Sequence, residues 1–208
     1  QMLGERKAAP TAAHLAAAKK ETHPEVCAQI LASAKRMPAE ALPLLNAALG
    51  APDESGHIPL LVWWALEAHL GSPADRAATI AYLGATPSMT NSSLFRDTLA
   101  ERIGKRLAHG GEPGRLADAE RIRTLCPPDA ATKVVDGILT MLDQGDLPPM
   151  PASLRSALEG RLAASGNQPM PIAALRAGDK AALAAALKEL TDKRTLVRRR
   201  TEVAEALS

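Results

Sequence analysis

The chain has 208 residues, 46% of them hydrophobic, with 25 Lys or Arg against 23 Asp or Glu and a formal charge of +2. That apolar content excludes a disordered chain and is enough for a real core, while the near balance of charge leaves no global field to draw the protein to nucleic acid or a membrane. The apolar residues are mostly Ala and Leu, with two Trp, one Tyr and one Phe; sheets favour β-branched and aromatic side chains, so the composition predicts an all-α fold.

In chain order, Gln1-Met2-Leu3-Gly4 reads as the last turn of a helix and its glycine stop, and the expectation is one helical domain over 1–208, excised from a longer multidomain chain. His23-Pro24-Glu25-Val26 opens a helix with proline in its first turn, and the valine is expected to face the core. Leu42, Leu45 and Leu49 then make a stripe at helical spacing. The stretch from His57 to Leu70 is almost continuously apolar and contains both Trp63 and Trp64. Adjacent helical residues point about 100° apart, so the two indoles cannot share one contact face, and a central helix covered on several sides is predicted. Pro59, Glu67 and His69 keep this run short of the roughly 20 apolar residues a membrane span requires.

Gly71 is expected to stop that helix, and Ser72-Pro73 with Asp75 supplies the N-cap, first-turn proline and dipole-matched carboxylate of the next. Pro127-Pro128-Asp129 ends one helix and starts another, and Asp179 after Gly178 is a further N-cap. Leu154, Leu158 and Leu162, then Leu183, Leu187 and Leu190, repeat the apolar stripe. Turn clusters recur at roughly 15 to 20 residues, which gives about ten or eleven helices whose pairs repeat at roughly 40 residues. The predicted architecture is a right-handed α-solenoid of HEAT- or armadillo-like pairs, with Cys27 standing where such repeats usually carry arginine, and an irregular helical bundle is the alternative.

The chemistry-bearing residues do not assemble a site along the sequence. Glu67 and His69 are two apart and face different ways, and His57 lies just before the helix, in a capping or packing position. Trp63 and Trp64 are read as core in preference to a sugar- or quinone-stacking platform. Lys193-Arg194 and Arg198-Arg199-Arg200 are followed by Glu202 and Glu205, as on a solvated helix face. Cys27 and Cys126 lie too many repeats apart to favour a disulfide. Catalytic, cofactor-binding and metal-binding residues are all predicted to be none.

The strings Leu3-Gly4, His23-Pro24-Glu25-Val26 and above all His57-Ile58-Pro59-Leu60-Leu61-Val62-Trp63-Trp64-Ala65-Leu66-Glu67 resemble the PVC-type haem-binding membrane-bound dehydrogenase family. The resemblance continues through Leu94-Phe95-Arg96-Asp97-Thr98-Leu99-Ala100-Glu101-Arg102-Ile103 and Leu175-Arg176-Ala177-Gly178-Asp179. It implies a bacterial, periplasmic or envelope-associated parent in which a HEAT-like segment joins a propeller-type dehydrogenase domain to a cytochrome c domain. On that basis this chain is a non-enzymatic scaffold whose partners are the neighbouring domains of its own polypeptide, and the c-type haem belongs elsewhere in the parent. A covalent haem site needs Cys-x-x-Cys-His, and neither Cys27, before Ala28-Gln29-Ile30, nor Cys126, before Pro127-Pro128-Asp129, supplies it. A HEAT-like module binding a protein on its concave face is the alternative, with neither nucleic acid nor membrane insertion expected.

Overall fold

Pro24, Pro73 and Pro128 each sit in the first turn of a helix, where a missing N–H is harmless and a fixed φ helps. Ser72 caps its helix as the sequence predicts, its Oγ accepting from the Asp75 amide at 3.1 Å. Thr11 makes a reciprocal cap with His14. The computed structural model describes residues 8–50, 56–109, 112, 114–141, 149–164, 180–192, 195 and 197–207, and every regular element among them is helical. The elements are α1 (Ala12–Lys20), α2 (Pro24–Ala34), a 3-10 helix (Ala39–Leu49), α3 (Ile58–Ala68), α4 (Pro73–Ala85), the short α5 (Pro87–Thr90), and a π-helical segment (Phe95–Leu99) running into α6 (Ala100–Ala108). They continue with α7 (Arg115–Leu125), α8 (Pro128–Leu139), α9 (Ala152–Ala164), α10 (Lys180–Thr191) and α11 (Val197–Leu207). The expected stop at Leu3-Gly4 and cap at Gly178-Asp179 lie outside the described residues.

Through α9 the helices fall into two rows. One row runs α2, α3, the π segment with α6, and α8; the other runs α1, the 3-10 helix, α4, α7 and α9. Each member touches the one before it in its row, and the rows meet where α2 and α3 flank the 3-10 helix, α6 meets α7, and α8 meets α7 and α9. A single apolar core extends from Ala18 to Leu158, whereas Ala186 and Val203, on α10 and α11, are buried outside it.

Four sequence expectations change in the folded chain. Leu42 and Leu45 are buried, but their segment is a 3-10 helix with Pro43 inside it. Its pattern has period three: Ala41-Leu42, Leu44-Leu45 and Ala47-Ala48 are buried, while Glu40, Pro43 and Asn46 lie between them on the outer side. Three residues per turn bring such positions into register, and proline has no N–H to continue an α ladder. Val26 is 43% exposed, because the buried stripe of α2 runs through Cys27, Leu31 and Ala34, one position further on. Trp63 is buried but Trp64 is 42% exposed, so α3 is covered on fewer sides than its apolar sequence predicts. Leu183 and Leu187 on α10 are exposed as well.

Helices α6 and α8 cross in a close backbone contact. Ala100, Gly104 and Ala108 place a small-residue stripe on α6, all of it buried. A Cβ on Gly104 would run into the Val134 carbonyl oxygen, and one on Gly137 into the Glu101 carbonyl oxygen. Only glycine permits this approach of two backbones. Gly104→Ala and Gly137→Ala are each expected to destabilise the fold by about 2–3 kcal/mol despite alanine's better helix propensity. That corresponds to a fall of roughly 5–10 °C in Tm. Gly160→Ala, on α9 where no atom lies within 4 Å of the added carbon, should instead raise Tm, and thermal unfolding of the three variants checks both signs.

Candidate functional site

The π segment, α3 and the end of α2 build the surface that carries the two tryptophans. Trp63 is buried in the core to which Val62, Leu66, Phe95 and Leu99 also belong, and the Arg102 guanidinium carbon lies 5.9 Å from its ring centroid. Trp64, one residue on, faces out, with Lys35 Nζ 5.4 Å from its ring centroid. Both are cation–π geometries. Nearby, Glu67 pairs with Arg106 at 3.6 Å and Glu101 with Lys105 at 2.7 Å, which ties α3 to α6 and closes one turn of α6 on itself.

A second cluster centres on Arg76, in the first turns of α4, whose side chain is only 2% exposed. Its Nε donates to Asp118 Oδ2 at 2.7 Å, Nη1 to the Gly71 carbonyl at 3.0 Å, and Nη2 to Glu112 Oε1 at 3.0 Å. Arg115 Nε donates to the same Glu112 carboxylate at 2.6 Å. Burial works against the Arg76 charge, but the hydrogen bonds to Asp118 and Glu112 outweigh it and hold the guanidinium's pKa above its ordinary value. The bonds from Arg76 and Arg115 hold the Glu112 carboxyl below the usual carboxylate range. Sequence reading missed this cluster because its members are spread over residues 71–118 and none shows a motif.

A cleft of about 650 Å³ opens where the end of α7 meets α8 and α9. Its walls are small side chains such as Ala131, Ala157 and Gly160, and its rim holds Arg123 and Arg161. Both cations are already engaged, Arg123 by Glu120 at 2.6 Å and Arg161 by Asp136 at 2.7 Å. Cys126 lines the cleft, but burial pushes its thiol up to about 12, and Sγ donates to the Ile122 carbonyl at 3.1 Å. Cys27 is fully buried and its pKa is likewise raised by burial. The two cysteines are separate free thiols, as their separation in the chain predicts.

The residues weighed as ligands or acid–base groups part company in space. His57 is exposed and makes no capping bond, Glu67 is held by Arg106, and His69 is buried with its carbonyl accepting from Thr79 Oγ1 at 3.0 Å and its Nε2 unpartnered. Among the described residues no three His, Cys, Asp or Glu gather as metal ligands would. Lys193 and Arg194 lie outside the described residues, and of the arginine run on α11 the half-buried Arg200 is the one whose side chain is described.

Replacing Arg76 by Met should destabilise the fold, since it removes the buried cation that Asp118 and Glu112 share and leaves Glu112 with Arg115 alone. A carboxylate whose folded pKa is lowered contributes stability that is complete above its unfolded value and is lost as pH falls through the folded one. Wild-type stability should therefore decline as pH drops below 4.5, the ordinary Glu value, and Arg76→Met should make that decline shallower in urea titrations across acid pH. Both thiols should resist a disulfide reagent in the native protein at mildly alkaline pH and react fully on unfolding. No protein family, curated protein or solved structure matches this chain.

Proposed function

We propose that the chain is a non-catalytic scaffold, the right-handed HEAT-like solenoid segment of a multidomain, envelope-associated dehydrogenase, set between a propeller-type dehydrogenase domain and a cytochrome c domain. The observation that carries this reading is where the most family-like string falls. Residues 58–67 of that string lie in α3, and Ile58, Val62, Trp63, Ala65 and Leu66 among them are buried. The part of the sequence that most resembles the family is thus spent on holding helices together, as expected of a scaffold and unlike a catalytic motif. Two rows of helices, with members beginning at residues 39, 73, 115 and 152, fit the roughly 40-residue unit of a HEAT solenoid. Such a stack transmits rigidity from one end to the other, which is what two redox domains need to keep a fixed separation.

A HEAT-like protein-binding module is the second reading, and the half-exposed Trp64 favours it. The sequence flanking this segment in its gene separates the two. A propeller pattern before it and Cys-x-x-Cys-His after it are expected from the scaffold, and their absence on both sides would leave the binding module. Expressed with a c-type haem maturation system, this segment should carry no covalent haem, and a haem-stained band would overturn the assignment.

A further inference from the structure

The cleft where the end of α7 meets α8 and α9 is lined by two cations whose counter-charges stand outside it. Arg123 and Arg161 form part of its wall, whereas Glu120 and Asp136, which pair with them, do not. Arg123 donates to Glu120 through Nε and Nη2 at 2.6 Å and 2.8 Å, and Arg161 to Asp136 through the same two atoms at 2.7 Å and 3.2 Å. Each carboxylate therefore grips one edge of its guanidinium, and Nη1 on the other edge has no hydrogen-bond partner among the described residues. Among those residues the lining carries no carboxylate, and burial keeps the Cys126 thiol protonated. The rest of the wall is mostly small and apolar, with Pro128, Ala131, Val135, Ala157 and Gly160.

We propose that this cleft binds a small organic acid, its apolar body against Ala131, Val135 and Ala157 and its oxyanion group on the free guanidinium edges at the rim. The planar guanidinium matches oxyanions, and one already held by its own carboxylate loses little side-chain freedom when a ligand arrives. The volume of about 650 Å³ lies within the roughly 300–1,000 Å³ of small-molecule sites, and a bare inorganic ion would leave the apolar wall uncovered. A cationic ligand suits the cleft less well. It would meet two guanidinium groups and no acid, and the Thr124 and Thr132 hydroxyls already give their protons to the Arg121 and Pro128 carbonyls. The inference rests on the cleft alone, goes beyond the scaffold reading and does not depend on the parent chain's identity.

The test is a pair of fluorescence titrations of the native chain, one with the anion anilinonaphthalenesulfonate and one with phenylnaphthylamine, the same apolar body without the sulfonate. Saturable binding of the anion is expected, with the neutral dye about tenfold weaker. Arg161→Gln should weaken the anion by about tenfold and leave the neutral dye unmoved, while Gly160→Leu, whose side chain fills the cleft, should weaken both. Neither change threatens the fold: Arg161 is 44% exposed and glutamine can still donate to Asp136, and a carbon added at Gly160 meets no atom within 4 Å. Equal affinity for the two dyes, anion binding unmoved by Arg161→Gln, or no saturable binding would each overturn the proposal. So would dye binding that survives Gly160→Leu, which would place it on another apolar surface, such as the groove between α1 and α2 lined by Val26, Ile30 and Met37.

Discussion

Helices α6 and α8 approach until the backbone of each touches the other, and this is possible because Gly104 and Gly137 lie opposite carbonyl oxygens. Ordinary side chains keep helix axes about 8–10 Å apart, with ridges set into grooves. Here the absence of two Cβ atoms lets main chains meet, and Ile103, Leu107, Val134 and Ile138 close around the contact as fully buried residues. Because α6 continues from the π segment that supports α3, and α8 carries α9, the crossing fixes the relation of the early helices to the late ones.

The other row is joined by charge. The Arg76 guanidinium, buried at the start of α4, reaches Asp118 on α7 and Glu112 before it. Gly114, at φ 86°, lets the chain turn between that carboxylate and α7. A buried guanidinium must have its donors satisfied or it opposes folding, so one arrangement of α4, α7 and the connecting chain is selected over neighbouring ones. Tyr82 does the same on a smaller scale, donating to Asn46 Oδ1 at 2.8 Å and so linking α4 to the 3-10 helix. Polar groups thus fix register where apolar packing alone would allow sliding.

The two tryptophans show how one helix divides adjacent aromatic side chains between core and surface. Trp63 serves the core, and Trp64, about 100° around the helix, is half-exposed among the described residues. Lys35, at the end of α2, lies over the Trp64 ring, and Arg102, in the first turn of α6, lies over that of Trp63. The same α3 that carries the packing of its row also exposes the largest aromatic surface in the described chain.

The all-helical class was legible in the sequence, because an Ala- and Leu-rich composition with proline and serine at helix starts leaves sheets no material. The first-turn prolines at 24, 73 and 128 and the Ser72 cap are local chemistry, decided within one turn, and they fall where the sequence placed them. The direction in which Val26 and Trp64 face was not legible, since apolar character says that a residue can be buried and only the neighbouring helices decide whether it is. Nor could residue spacing reveal the 3-10 winding of Ala39–Leu49, whose three-residue periodicity differs from an α stripe by less than one position per turn. The Gly104–Gly137 crossing and the Arg76 cluster depended wholly on tertiary structure, because each joins residues that are distant in the chain and carry no signal until their helices meet.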